Sequence, residues 1–476
     1  MMRLSETALS RLPADVERPA YDRKAAKRGV VHLGIGAFHR AHQAVYFDRA
    51  LDSGDLRWAT TGVSLRSAAV RDRLQPQDGL YGVVVRDGDA EQTRIVGAVR
   101  EVLVATEDPA AVIAAMADRD THLVTLTITE KGYKLDRAAG GLLSDDADVA
   151  ADLAALDAPR TAIGFIVAAL AQRRARNLPP FTAMSCDNLP HNGALLRAAV
   201  IAMARAHDGD LAEWIADEGA FPASMVDRIV PATTEADIAA HAAQLGVEDR
   251  AMVKTEPFTQ WVIEDRFAGE RPDFAALGVQ LTDAVGPWED AKLRLLNGAH
   301  SAIAYLGGLA GDTFVHEFVG RPEGRAFVEK LWNEAEPTLS PPEELDVAQY
   351  RRDLMARFSN PALQHRTHQI AMDGSQKLPQ RLIATLADRR EATQPIDALA
   401  LAVAAWMRWQ AGQTDSGERF AVEDPIADRL ASADGVDALL AAIGVTLDPG
   451  ARSAIGAWLT TLERDGAAGA VRTIVS

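Results

Sequence analysis

Val30-Val31-His32-Leu33-Gly34-Ile35-Gly36-Ala37-Phe38-His39-Arg40-Ala41-His42 is the stretch on which the fold turns. A short apolar run enters a Gly-x-Gly turn, and Ala44 to Leu51 follows with helical character. Strand, glycine turn and helix in that order form a phosphate cradle of the dinucleotide-binding kind, because backbone N–H groups and a helix N-terminus converge on an anion. The usual third glycine is absent and His39 stands in its place, so the turn by itself also reads as a tight strand–helix corner. Arg40 suits a phosphate or an exposed surface position equally well. Gly34, Gly36, Phe38, His39 and Arg40 are the cofactor-contacting candidates here.

The chain beyond it keeps the alternation of an α/β domain. Trp58 to Leu65 (WATTGVSL) reads as a second strand. In a nucleotide-binding fold an acid after that strand marks NAD; here Arg66 and Ser67 follow, which leaves NAD and NADP both open. Leu80 to Val85 and Thr93 to Val104 are β-rich, and Pro109 to Ala117 is a helix. His122 to Thr129 (HLVTLTIT) reads as a buried strand with Glu130-Lys131-Gly132-Tyr133 at its carboxyl end, where open α/β sheets bind ligands. Glu130 and Lys131 therefore join the cofactor candidates, with Arg66. Arg137 to Asp148 reads as a surface loop, Thr161 to Arg176 as a helix and Phe181 to Ser185 as a strand.

Cys186-Asp187-Asn188-Leu189-Pro190-His191-Asn192-Gly193 again follows a strand. Asn188 and Asn192 can donate to a substrate oxygen or, more ordinarily, make a turn or cap. Cys186 reads as a small buried apolar residue. Ser224 to Val230 (SMVDRIV) holds Asp227 inside an apolar run, where a carboxylate needs a positive partner such as Arg228 or a distant lysine.

Pro287 to Gly308 (PWEDAKLRLLNGAHSAIAYLGG) is a helix opened by proline, with Glu289 and Asp290 in its first turn. Leu296, Ala299, Ile303 and Leu306 recur at helical spacing. At roughly 100° per residue Lys292 falls within that apolar stripe, with His300 and Asn297 about 80° and 140° round from it. Such a lysine either snorkels to water along its own stem or is used, since burial lowers an ammonium's pKa toward the range of a general acid or base. A fan of roughly 140° is too wide for one flat face. The three residues must wrap around a small ligand, or the helix must be distorted. After Pro287 the texture is helical, over 322–335, 342–357, 378–390, 395–411, 422–433 and 451–464. The expected division is a Rossmann-type α/β domain over 1–285 and a mostly α-helical domain over 286–476. Within the latter, Arg366, Lys377, His365 and His368 form a positive cluster that suits a carboxylate or, equally, surface ion pairing.

A net charge of −17 argues against nucleic acid or an anionic membrane as partner. The single cysteine excludes an internal disulfide and makes a thiolate zinc site implausible. His300 has no second ligand at i, i+4 spacing, so no metal is expected. Neither a signal-like apolar run nor a stretch of membrane-spanning length is present, and a soluble, cytoplasmic protein, monomeric or a small homo-oligomer, is expected.

VHLGIGAFHRAHQAVY, TLTITEKGY, SCDNLPHNG, VDRIVPATT, FTQWVIEDRF and KLRLLNGAHSAIAYLG, in that order, resemble the polyol-specific long-chain dehydrogenase family, also called the mannitol dehydrogenase family. The resemblance runs from about residue 30 to the end of the chain. It implies metal-independent hydride transfer with NAD, NADP not being excluded, and an active site between the two domains. It further implies that Lys292 is the acid/base, that Asn188 and Asn297 bind the reacting oxygen, that His300 positions substrate, and that Asp227 and Glu289 are acids near the lysine. Those roles suit ketone reduction, which needs a proton donor and N–H groups where negative charge develops. NPALQHRTHQIAMDGSQKLPQRL resembles the fructuronate reductase (mannonate oxidoreductase) branch, with Arg366, Lys377 and His368 as holders of a substrate carboxylate. The implied reaction is D-fructuronate to D-mannonate. A mannitol 2-dehydrogenase or related ketose oxidoreductase is the alternative, and a non-catalytic nucleotide sensor is disfavoured by the joint presence of Lys292, Asn188 and Asn297.

Overall fold

The computed structural model describes residues 1–136 and 141–476; the side chains of Glu130, Lys131 and Asp136 lie outside that description. Two compact units divide at Val285 and Gly286.

In the first unit the strands run β1 (Arg28–Leu33), β2 (Ala59–Ser64), β3 (Tyr81–Asp87), β4 (Ala90–Val96), β5 (Val99–Val104), β6 (Leu123–Leu126), β7 (Leu135–Asp136), β8 (Gly141–Leu142), β9 (Thr182–Ser185), β10 (Ser224–Asp227), β11 (Val253–Thr255), β12 (Gln260–Glu264) and β13 (Gln280–Thr282). A parallel sheet in the order β5-β2-β1-β6-β9 is its centre. The chain builds outward from β1 to β2 and β5, then restarts at β6 on the other side, so the order reverses between β1 and β6. That reversal opens a crevice at the carboxyl ends of these two strands, where α/β sheets take ligands. Pleating sends Val31 and Leu33 into one apolar core and Val30 into another, so both faces of the sheet are covered. Helices Pro109–Met116 and Ala162–Ala175 cover the Val31 face. Asp108 and Thr161 fix their starts, accepting from Ala111 N at 2.8 Å and Gly164 N at 3.0 Å.

The strand expected over His122–Thr129 stops at Leu126. The Asp187 carboxylate accepts from Ile128 N at 3.0 Å and Thr129 N at 2.9 Å, replacing ladder bonds, and Thr129 turns to φ +66°. Of the loop expected over 137–148, residues 137–140 lie outside the described residues. Its end is a helix, Ala147–Ala154, capped by Asp146, an acid that the sequence reading took as loop.

The second unit is helical. Helix Asp397–Trp409 is its centre: Ala398 through Met407 are all buried, and it packs on Gly298–Ala310 and Pro449–Val475. Helix Pro322–Ala335 has the expected bounds, whereas the one expected at 422–433 shrinks to Ala427–Ala431. Among the described residues no helix is long and apolar enough to cross a membrane.

Candidate active site

The glycine turn after β1 is built for close approach. Gly34 has φ +94°, and a Cβ there would lie 2.1 Å from the Thr127 carbonyl oxygen, so only glycine fits between β1 and the end of β6. Gly34 N and Ile35 N donate to Val63 O, tying the turn to β2. Gly36 and Ala37 are exposed, and a Cβ on Gly36 would meet nothing nearer than Gly34 O at 3.9 Å. No side chain caps the helix that starts at Ala37. The open, N–H-rich backbone from Gly36 fits the phosphates of a dinucleotide.

The side chains after the glycines face the other way. His39 is wholly buried and stacks on His32 with ring centroids 3.4 Å apart. Arg40 is buried too; its guanidinium donates to the Ala251 carbonyl and lies over the Tyr81 ring, while Tyr81 Oη donates to Arg40 O at 2.8 Å. Arg40 is thus neither a phosphate ligand nor an exposed residue, because the turn before β11 and Tyr81 of β3 have captured it. Phe38 stacks on His42. Arg66 is exposed just past β2, and Ser67 Oγ accepts from Ala69 N at 3.2 Å. Glu130 and Lys131 sit in a short 3-10 turn, Glu130–Tyr133, their side chains lying outside the described residues.

After β9 the two asparagines separate. Asn192 is fully buried: its Nδ2 donates to Asp187 O and Ser224 O, and its Oδ1 accepts from Ser224 N, which joins the β9 loop to β10. Asn188 is exposed at the carboxyl end of the sheet. Asp187 is held by Tyr133 Oη at 2.8 Å as well as by the two amides, so the loop that presents Asn188 is clamped to β6. Cys186 is buried, and burial pushes its thiol well above the usual range. Asp227 ends β10 and is buried. Arg228, offered by the sequence as a partner for it, donates to the carbonyl oxygens of Ala41 and Glu256.

In the second unit the helix from Gly286 is distorted, one of the two outcomes that the sequence left open. Gly286–Ala291 is α-helical, Lys292–Asn297 is a π-helical turn, and Gly298–Ala310 resumes the α-helix. A π-turn closes i to i+5, and Lys292 and Asn297 are five apart, so the widened turn brings them toward one face. Trp332 Nε1 donates to Leu295 O at 2.9 Å, satisfying a carbonyl within the turn. Lys292, Asn297 and His300 are all buried, and Glu289 is half-buried one turn before the lysine.

His300 packs against Phe358, at 4.7 Å between ring centroids, and edge-on against His365, at 5.0 Å. Burial first, then the nearby charge of His365, Arg357 and Arg381, holds its pKa well below the usual value, so the ring is neutral at physiological pH. Its Nε2 is buried with no protein partner among the described residues. Lys377 lies in the same neighbourhood: Nζ donates to Met372 O at 2.6 Å, and burial, followed by Arg381, lowers its pKa to about 8. The positive cluster expected from sequence is split. Arg366 is exposed over the Phe314 ring, and His368 is exposed against Trp409 and Phe420. His365 belongs to the cluster expected from sequence, whereas Arg381 does not; its four-residue spacing from Lys377 is the signal that finds it.

Residues 28–276 match the family model of the mannitol dehydrogenase Rossmann domain, and residues 284–445 that of the mannitol dehydrogenase C-terminal domain. The chain belongs to the mannitol dehydrogenase family. It is 43% identical over 437 residues to a mannitol 2-dehydrogenase of Pyrenophora tritici-repentis, covering 90% of this chain and 77% of that protein. It is also 43% identical over 451 residues to the D-mannonate oxidoreductase of Escherichia coli, covering 92% of each. A Pseudomonas fluorescens mannitol 2-dehydrogenase, solved in ternary complex with NAD and D-mannitol, superposes with a TM-score of 0.89 at 36% identity over 100% of this chain and 99% of that one. As a member of the mannitol dehydrogenase family this chain is an oxidoreductase, and its N-terminal unit is the family's Rossmann domain.

Proposed function

We propose that this oxidoreductase reduces D-fructuronate to D-mannonate with NADH, without a metal. The observation that carries the substrate choice is Lys377, an ammonium whose described bonds run only to backbone carbonyls and whose charge is felt by His365, the ring packed against neutral His300. A substrate carboxylate is the partner such a charge lacks. Similarity to the D-mannonate oxidoreductase over 92% of both chains supports the same choice.

Bound NADH supplies the hydride to the ketone carbon. Lys292 donates a proton to the oxygen that becomes alkoxide-like and takes one back in the reverse reaction. The side-chain amides of Asn188 and Asn297 donate to that oxygen as its charge develops. His300, neutral, holds a substrate hydroxyl through Nε2. Asp227 and Glu289 are acidic neighbours that tune the lysine. Backbone N–H groups from Gly36 onward hold the cofactor's phosphates.

A second reading, reduction of a neutral ketose such as D-fructose to mannitol, is favoured by the mannitol 2-dehydrogenase relatives. Loss of NADH absorbance, measured with D-fructuronate, D-fructose and other ketoses, separates the two. Higher kcat/KM on D-fructuronate supports the proposal; preference for D-fructose sinks it, and no turnover of any ketose would favour a non-catalytic nucleotide sensor. The same panel with NADPH tests the cofactor, given Arg66 beyond β2.

A further inference from the structure

The helix that begins at Gly374 has its own π-turn, Pro379–Ile383, and this turn packs on the π-turn that carries Lys292 and Asn297. The contact is close: a Cβ on Gly298 would lie 2.9 Å from the Arg381 carbonyl oxygen. Gly298 thus lets the two backbones meet at the residue that follows Asn297. Arg381 sits in the second π-turn, half-buried, and its guanidinium donates to Ser301 Oγ at 3.2 Å. Ser301 is the neighbour of His300. The side chain is therefore placed from two sides, by backbone packing at Gly298 and by a hydroxyl next to the substrate-positioning histidine.

What it lacks is an anion. A guanidinium has five N–H donors in a planar fork. Among the described residues Arg381 makes that one side-chain hydrogen bond, and no carboxylate lies within ion-pair distance of it. Other arginines of the unit are matched: Arg321 with Asp312, Arg351 with Glu329 and Glu336, Arg390 with Asp448. Arg381 instead stands four residues from Lys377 in sequence, and its charge is felt by both Lys377 and His300. Like charges so placed repel, and a desolvated charge without a partner is costly. Two such cations beside a neutral histidine are stable together when a doubly accepting anion comes between them. A neutral polyol would gain nothing from the fork.

We infer that Arg381 is the residue that reads the substrate's carboxylate, its fork taking both carboxylate oxygens beside His300 while Ser301 Oγ and the Gly298 contact hold it in place. This rests on the ketose-acid reading above. Lys377 adds charge; Arg381 adds the geometry that tells a carboxylate from a hydroxymethyl group.

The test is steady-state kinetics of the full-length enzyme with NADH on D-fructuronate and on D-fructose, for wild type, Arg381→Met and Arg381→Lys, with NADH affinity as a control. Arg381→Met should lower kcat/KM on D-fructuronate roughly 100-fold, mostly through KM, while D-fructose turnover stays within about 3-fold and NADH affinity is unchanged. Arg381→Lys should recover part of the loss, because it restores charge without the fork. If Arg381→Met does not fold, Arg381→Lys and Ser301→Ala carry the comparison, each with a smaller acid-selective rise in KM. Equal losses on both ketoses, or no loss on D-fructuronate, overturn the assignment of Arg381 while leaving the ketose-acid reading intact. A wild-type enzyme that reduces D-fructose and ignores D-fructuronate overturns that reading itself.

Discussion

Arg40 and Arg381 are both desolvated arginines, and burial lowers the pKa of each, yet they belong to different kinds of place. Arg40 lies in the first unit with its guanidinium on the Ala251 carbonyl and its face over Tyr81. Arg381 lies in the second unit with a single hydroxyl to hold it. The neighbouring histidines repeat the contrast. His39 and His300 are both buried and kept neutral, but His39 is sandwiched on His32, whose two nitrogens bond Thr125 and Thr127, while His300 turns Nε2 into a cationic pocket. Perturbed titration alone therefore does not separate scaffold from site in this protein. Nor does a bare count of partners, since both His39 ring nitrogens, like His300 Nε2, lack a hydrogen-bond partner among the described residues and Arg40 makes a single described side-chain bond. What differs is the company, a stacked ring and a carbonyl around His39 and Arg40 against the charges of Arg357 and Arg381 around His300.

The largest effect should come from Lys292, the proposed acid/base. Lys292→Ala should lower kcat by about 10²–10⁴-fold with NADH affinity retained, since only the proton donor is removed. Near-normal kcat in this variant would show that the acid/base is elsewhere and that the π-turn is merely structural. Arg40→Met tests the opposite pole. It should cost roughly 2–3 kcal/mol of stability, seen as a Tm lower by several degrees, because a buried carbonyl loses its donor. The ratio of kcat/KM on D-fructuronate to that on D-fructose should not move. A shift in that ratio without loss of stability would put Arg40 in the site after all.

The same contrast explains what could be read from sequence. Gly-x-Gly after an apolar run located the crevice between β1 and β6, because Gly34 at positive φ leaves a local signature. The distortion at Lys292–Asn297 was also foreseeable, since three polar residues at those spacings cannot share an α-helical face with an apolar stripe. Partner choice was not legible. Asn188 and Asn192 have the same chemistry four residues apart, and only the fold shows that Ser224 engages the second. Arg366, His368 and Lys377 look like one cluster in the chain, yet the turn at Met372–Asp373, where Asp373 adopts φ +56°, separates the first two from Lys377. Arg40 reads from sequence as a phosphate ligand or an exposed residue alike, because the turn that captures it arrives more than two hundred residues later.

Lys377 sharpens the comparison through pH. Its pKa is lowered to about 8, so the free enzyme loses this positive charge as pH rises through that value. KM for D-fructuronate should therefore rise above about pH 8, while KM for D-fructose stays flat. Lys377→Met should raise KM for the acid by roughly 10–50-fold at pH 7 and abolish the pH dependence. The stability consequence has its own sign. Between about pH 8 and 10.5 the unfolded chain holds the lysine's proton and the folded chain does not, so this group makes stability increase with pH across that window. A D-fructuronate KM that is flat through pH 8 would mean that Lys377 does not face the anion.

The smallest effect is expected at Arg366, one of three residues that the sequence offers without ranking as carboxylate holders. It is exposed, its guanidinium lies over the Phe314 ring, and its backbone forms an antiparallel bridge with Phe314. A cation there is solvated and screened, so Arg366→Ala should change KM for D-fructuronate by less than about 2-fold. The measurement is informative because it is made on the same substrate and scale as the Lys377 and Arg381 variants. If Arg366→Ala raised KM for the acid as much as they do, the split of the basic cluster into a site half and a surface half would be wrong. The contrast between Arg40 and Arg381, one set among neutral groups and the other among cations beside His300, would then need to include solvent-facing charges as well.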